Sequence, residues 1–474
     1  MKTILWLALV AGLSVFPSAA RAAEPKVFFG NLHAHTSYSD GSGKPTDAYK
    51  YARTRVDFLA ITEHNHKGAE KGIPSGNPRR DGIMIAKDHA LYNGSASSSL
   101  KSAAKKYNKD GEFVALYGQE FSVIDSSSKN AGGNHVNVLE IEDVIDEVAV
   151  TNGGFGQLVT WLETHKDSEG KPAIMQFNHS KESLRQQKIE YGMDDFPNST
   201  EWIKAMSKHA CLIEAWNGPG TVPTAPDLKP EVFTNDYLHY LNLGFKLAPT
   251  ANQDNHLKDW GDRTVARTGV IAESKTKANI LDALRKRHVY ATLDPNLSLI
   301  FWVNGHLCGE VITTLPAAGS ELNIEFTIND KDEDDVDYEI EVYSDKPGGA
   351  VATMVEKTSA SGNSATRQKL EDVPFTGADQ YVFFVVRQLD EDGKADMAVT
   401  APVWFETAGA EPAVVVPVAG GLDESKFVAS VNSGLYHVSD ECISAKAIKP
   451  TNKITGPAAA VGNTLHSPCP ITSN

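Results

Sequence analysis

From Lys26 to about Asp294 the chain alternates short apolar runs with longer amphipathic or polar segments. KVFFGNLH, DFLAIT, EFVALYG, HVNVLEI, AIMQFN, CLIEAWN and FKLAPTAN read as strands, seven in all. The stretch after Pro45, FGQLVTWLETHK, PEVFTNDYLHYLNLG and KANILDALRKRH read as helices. Strand, crossover and strand repeated in this way predict a parallel α/β domain. Nearly continuous apolar runs suit strands buried on both faces, so seven of them fit a barrel at least as well as an open sheet. No Gly-rich phosphate turn follows the first strand, which argues against a dinucleotide-binding domain. The polar segment from Gly68 to Asp110 reads either as a lid or substrate loop or as a variable surface insertion.

After Pro295 the period shortens. ELNIEFTIND, VDYEIEVYSD, QYVFFVVRQL and MAVTAPVWFE alternate with turn signals such as DKPGG and DEDGK, predicting an antiparallel β-sandwich over 296–407. The acidic run NDKDEDDVD lacks the ordered ligand spacing of an EF-hand and reads as a solvated turn. A Pro/Ala/Gly/Val linker over 408–425 leads to a small module over 426–474. At the other end, Lys2, the apolar run Ile4 to Phe16 and Ala20-Arg21-Ala22 compose a signal peptide over 1–22. The expected destination is the periplasm or the exterior, and no other run approaches the length of a membrane span.

Composition narrows the function classes. The chain has 474 residues, 41% hydrophobic and 22% charged, which suits a globular protein of several domains. A net charge of -16 leaves no broad basic footprint, which argues against extended nucleic acid as a partner. There are four cysteines, too few for a disulfide scaffold. Cys211 and Cys308 sit in apolar stretches and read as inert core thiols.

The chemistry lies in where histidines and carboxylates fall. His33 and His35 end the first strand two residues apart, which points both rings to one side. Asp40 follows in the loop. His64 and Glu120 lie past the second and third strands, His135 opens the fourth, His179 ends the fifth, and Asp254 and His256 end the seventh. Strand ends of a parallel barrel converge on one face, where active sites form. Burying so many ionisable groups unpaired is expensive, so together they predict a metal site. Imidazole and carboxylate donors without thiolate suit Zn, Mn or Fe, and nine ligands suffice for two or three divalent ions.

The stretches NLHAHTSYSDG, DFLAITEHN, GQEFS, FNHS and NQDNH resemble the successive motifs of the polymerase-and-histidinol-phosphatase (PHP) family of metallohydrolases, over roughly Val27 to Asp294. The resemblance implies a distorted seven-stranded β/α barrel with a trinuclear site. One ion would take His33, His35, Glu120 and Asp254. A second would take Glu120 as a bridge with His135 and His179, and a third Asp40, His64 and His256. Many relatives carry Asp where this chain has Glu63, which is therefore left out of the ligand set and assigned to orienting an imidazole. RTGV and LDALRKRHVYATLD resemble exported members, including the branch of the carbaryl (aryl carbamate) hydrolases.

Hydroxide bridging two ions would attack phosphorus or a carbonyl carbon, with the ions holding the developing oxyanion. His66 is a candidate general acid, against the plainer reading of a solvated loop histidine. Arg185 and Arg267 are candidate phosphate forks, against ordinary salt bridges. No nucleophile-elbow serine sequence occurs. A phosphoesterase is the favoured reading. The alternatives are a carboxylic or carbamic ester hydrolase and a metal-bearing surface-binding protein. The tail, FVASVNSGLYHVSDECISAKAIKP then LHSPCP, resembles a small Cys/His module at the ends of some exported nucleases. Cys442 and Cys469 would form a disulfide there, or join His437 and His466 at a structural zinc.

Overall fold

The structure is a computed structural model. It describes residues 24–64, 99–122, 135–141, 143, 154–179, 199–221, 230–232, 234–333, 336–347, 352–389 and 395–408, and the backbone of four short tail strands. The expected signal peptide, the 408–425 linker except Thr407's neighbour Ala408, and Cys442, Cys469 and His466 lie outside the described residues.

The first half runs β1 (Lys26–Asn31), α1 (Pro45–Ala52), β2 (Phe58–His64), α2 (Leu100–Tyr107), β3 (Val114–Ser122), β4 (His135–Leu139), α3 (Gly154–Thr164), β5 (Ile174–Asn178), α4 (Ser199–Met206), β6 (Ala210–Asn217), β7 (Glu231–Val232), α5 (Thr234–Asn242), β8 (Ala248–Ala251), β9 (Arg267–Ala272), α6 (Lys277–Lys286) and β10 (Val289–Thr292). The sheet order is β10-β9-β1-β2-β3-β4-β5-β6, with β8 on the far side of β6. The expectation of a parallel sheet is corrected here. β1:β2, β2:β3, β5:β6 and β6:β8 are parallel, but β4 is antiparallel to both neighbours and β9 is antiparallel to β1. A run buried on both faces has the same apolar pattern in either direction, so the pattern does not encode orientation.

Among the described residues no backbone ladder joins β8 to β9. A hydroxyl bridges them instead. Thr268 Oγ1 accepts the Ala251 N–H and donates to the Ala251 carbonyl oxygen, both at 3.0 Å. The helix α2 falls inside the segment expected to be polar loop. Leu100, Ala103 and Ala104 have the three- and four-residue spacing of one helical face and are buried, and Ser99 caps the start by accepting the Ser102 N–H.

The second half contains β11 (Ser298–Val303), β12 (His306–Leu307), β13 (Val311–Ile312), β14 (Ile324–Asn329), β15 (Asp337–Asp345), β16 (Thr353–Ser361), β17 (Ser364–Leu370), β18 (Tyr381–Leu389), β19 (Ala395–Thr400) and β20 (Val403–Phe405). One sheet is β12-β11-β14-β17, and the other is built around β18, with β15, β19 and β20 as its neighbours. Phe301 and Phe384, one from each sheet, stack with ring centroids 4.2 Å apart. The second sheet continues into the first half, because β19 pairs antiparallel with β10 from Tyr290↔Thr400 to Thr292↔Ala398. One apolar core therefore includes Leu284 and Val289 together with Phe301 and Phe384. In the tail, Val428–Ser430, Leu435–His437, Lys453–Thr455 and Thr464–Leu465 form a separate sheet. No helix among the described residues is long and apolar enough to cross a membrane.

Candidate metal centre

The segment after β1 is pinned on both sides. Asn252 Oδ1 accepts the Leu32 N–H at 2.7 Å, and Asn137 Nδ2 donates to the Leu32 carbonyl at 3.0 Å. The His35 N–H donates to the Asn255 carbonyl, and the Thr62 N–H to the Ala34 carbonyl, each at 2.8 Å. The backbone is thus held extended, and His33 and His35 project to the same side. His64 ends β2 directly opposite Glu120 on β3. The reversed direction of β4 explains why His135 opens its strand rather than closing it. The start of β4 lies level with the ends of its neighbours, His135 facing Ser122 on one side and Asn178 on the other. His179 follows β5, and Asp254 and His256 follow β8.

These nine residues converge. His33 Nε2 lies 3.2 Å from Glu120 Oε2 and 3.2 Å from Asp254 Oδ1. His35 Nε2 lies 3.1 Å from each of the same two oxygens. The two imidazole nitrogens are 3.3 Å apart. Those are five of the six edges of a tetrahedron. Ligands about 2.0–2.1 Å from a central ion would have edges of roughly 3.3–3.4 Å. The carboxylate oxygens Glu120 Oε2, Asp254 Oδ1 and Asp40 Oδ1 are buried and accept no hydrogen bond. A shared cation could serve as the partner of such oxygens.

Two further groups adjoin the first. His35, Asp40, His64 and His256 bring ligand atoms within 4.8 Å of one another, as do His64, Glu120 and His135. His256 Nε2 is 3.1 Å from Asp40 Oδ1, and its Nδ1 donates to the Asp254 carbonyl at 2.7 Å, which leaves Nε2 bare for a ligand. His179 Nε2 is 3.3 Å from Glu120 Oε1, beside the same carboxylate. These buried clusters could hold metal ions. His33, His35 and Glu120 form the floor. Asp40, Asp254 and His179, each 20–25% exposed, form the mouth.

Two of the rim residues have strained backbones. His179 and Asp254 have φ of 27° and 46°, in the left-handed region that side chains avoid. Gly220 permits the second. Its own Cβ, if present, would collide with the Asp254 carbonyl oxygen, and its carbonyl accepts the His256 N–H at 3.0 Å.

Behind the ligands lies a buried polar layer. Glu214, in the middle of β6, accepts the His33 Nδ1–H at 2.9 Å through Oε1 and the His179 N–H at 2.7 Å through Oε2. Asn252 Nδ2 donates to the same Oε1 at 3.1 Å. Sequence reasoning missed Glu214, and the available signal was a lone carboxylate inside the apolar run CLIEAWN. The role expected of Glu63 is corrected to an indirect one. Its carboxylate accepts from the Thr36 N–H at 3.0 Å and from the Thr36 and Ser39 hydroxyls, and Ser39 Oγ in turn lies 3.3 Å from His35 Nδ1.

The electrostatics favour positive charge. Burial opposes protonation of His33, but Glu120, Asp254 and Glu214 outweigh it and raise its pKa well above the ordinary value. His35 is likewise pushed up to about 10, burial again opposing and Asp254 and Glu120 prevailing. Asp40 and Glu120 are held well below the usual carboxylate range, because neighbouring imidazoles overcome the effect of burial. Protons and divalent cations compete for such a site.

His66 and Arg185 lie outside the described residues. Arg267 is buried, and its terminal nitrogens donate to the carbonyls of Gly261, Thr264 and Ala266 at 2.6–2.8 Å. That guanidinium braces the 261–266 turn, which corrects the expectation of a phosphate fork.

No family model matches this chain, and no curated protein does. Among solved structures, a two-domain protein from Bacteroides vulgatus, described as containing a predicted PHP-like metal-dependent phosphoesterase, aligns at 14% identity with a TM-score of 0.37, covering 81% of this chain and 100% of that one. The soluble domain of PmoD from Methylocystis sp. aligns at 16% identity with a TM-score of 0.17, covering 23% of this chain and 90% of that one.

Proposed function

We infer that the chain is a metal-dependent hydrolase of ester bonds, with a phosphoester as the favoured substrate. The observation that carries this reading is the pocket of His33, His35, Glu120 and Asp254, whose spacing fits a shared ion and whose facing oxygens, Glu120 Oε2 and Asp254 Oδ1, lack hydrogen bonds. Divalent ions held there would acidify a water and stabilise negative charge developing on the substrate oxygen. The protein's own part is positional. Asn252 and Asn137 fix the Leu32 backbone, and with it the direction of both floor imidazoles. The buried position of His33, His35 and Glu120 keeps bulk water off the floor. The half-open rim of Asp40, Asp254 and His179 leaves one side for a substrate.

The motif order along the chain supports the PHP reading, on which β1 to β6 and β8 would be the seven staves of a distorted barrel. On the same footing, two or three Zn, Mn or Fe ions, export by the 1–22 leader and a small-molecule partner remain our reading of the sequence. The preference for phosphorus rests on that resemblance.

A substrate panel tests it. Aryl phosphate, bis-aryl phosphate, nucleotides, aryl acetate and aryl carbamate would be offered to wild type and to His35→Ala. Phosphate ester hydrolysis that disappears in His35→Ala is the expected result. Turnover of acetate or carbamate alone would move the assignment to carboxylic or carbamic esters.

A further inference from the structure

We propose that Glu214 is a positioning residue that couples two ligands of the metal centre, fixing which nitrogen His33 presents and holding His179 in its strained conformation. The inference rests on the metal-site reading above. Glu214 is fully buried, and its two oxygens are spent on two different ligand residues. A carboxylate cannot donate, so the His33 proton facing it must sit on Nδ1. With an ion bound, that leaves the lone pair on Nε2, the nitrogen facing Glu120 and Asp254 at 3.2 Å from each. The other oxygen accepts the His179 N–H at 2.7 Å, at a residue whose φ is 27°. A left-handed histidine persists only where its surroundings hold it there. Asn252 Nδ2, at 3.1 Å, and Gln176 Nε2, at 3.4 Å, both donate to Oε1 and orient the carboxylate.

Glutamine has the same shape but cannot replace both acceptors. With its oxygen toward His33, its NH2 group meets the His179 N–H, donor against donor. With its NH2 group toward His33, the Nδ1 must become an acceptor, and the proton moves to Nε2, where the ion would bind. One of the two contacts fails either way.

The experiment titrates Zn²⁺ alone into metal-stripped full-length wild type, Glu214→Gln and His33→Ala, with circular dichroism of each metal-free protein as the fold check. Glu214→Gln should keep the wild-type spectrum and bind Zn²⁺ about 10- to 100-fold more weakly, approaching His33→Ala. Binding as tight as wild type would overturn the coupling role. Wild type that binds no Zn²⁺ would overturn the metal reading itself, and this inference with it. A second measurement does not depend on whether the variant folds. In Zn²⁺-loaded wild type with ¹⁵N-labelled histidine, the His33 ring should carry its proton on Nδ1, and a proton on Nε2 contradicts the assignment.

Discussion

One carboxylate organises the centre. Glu120 reaches His33, His35 and His64 through Oε2, at 3.1–3.2 Å, and His135 and His179 through Oε1, at 2.8 and 3.3 Å. Replacing it with glutamine keeps the shape and removes the charge that five imidazoles share. Glu120→Gln should therefore lose at least one metal equivalent and lower hydrolysis by about 100-fold or more, as metal analysis and steady-state rates would show. Gly220→Ala acts from behind. Its methyl group would displace the Asp254 carbonyl, so we expect a loss of about 1–3 kcal/mol, read as a lower Tm, together with weaker metal retention. The ligands themselves were legible in the sequence because ionisable side chains recurred at the ends of apolar runs. Glu214 and Asn252 were not, because a polar residue inside or beside a strand says nothing about which distant residue it will meet. Glu214 meets His33 across 181 positions.

At the scale of elements, Arg267 separates a structural from a binding role. Arg267→Met would leave the Gly261 and Ala266 carbonyls without this donor, while the Thr264 carbonyl keeps Gln253 Nε2 at 3.0 Å. The expected cost is roughly 2–4 kcal/mol in unfolding experiments, with KM for a phosphate ester unchanged. A KM raised tenfold at unchanged Tm would restore the phosphate-fork reading. His209, between α4 and β6, gives a pH signature. Both ring nitrogens are buried without hydrogen bonds, and burial first, then Lys166, pushes its pKa down from 6.5 to about 4. The folded state thus holds fewer protons than the unfolded chain. Its contribution to stability is full above about pH 6.5 and is lost as the pH falls toward 4. The Tm of His209→Gln should fall less than that of wild type between those limits. Seven of the ten described strands before Pro295 and four of the six described helices could be read from apolar spacing. The direction of β4 could not, and neither could α2, whose three apolar residues sit in a polar stretch.

At the scale of the whole molecule, the described elements after Pro295 are all strands, but hydrogen bonding and core run across that point. β19 extends the sheet of β10, and Tyr237 Oη donates to the Thr400 carbonyl at 3.0 Å. A chain ending at Pro295 would expose the edge of β10 and the apolar residues packed on Phe301 and Phe384. We expect it to aggregate or to melt well below the full chain. A soluble truncation with the parent's Tm and metal content would show that the halves are independent.

The central claim is that nine converging side chains exist to hold metal. The most direct measurement is the metal content of the purified full-length protein by inductively coupled plasma mass spectrometry, before and after reconstitution with Zn, Mn or Fe. Two to three equivalents per chain are expected if the site is filled as proposed. A content near zero after reconstitution, in protein with an intact circular dichroism spectrum, would contradict it.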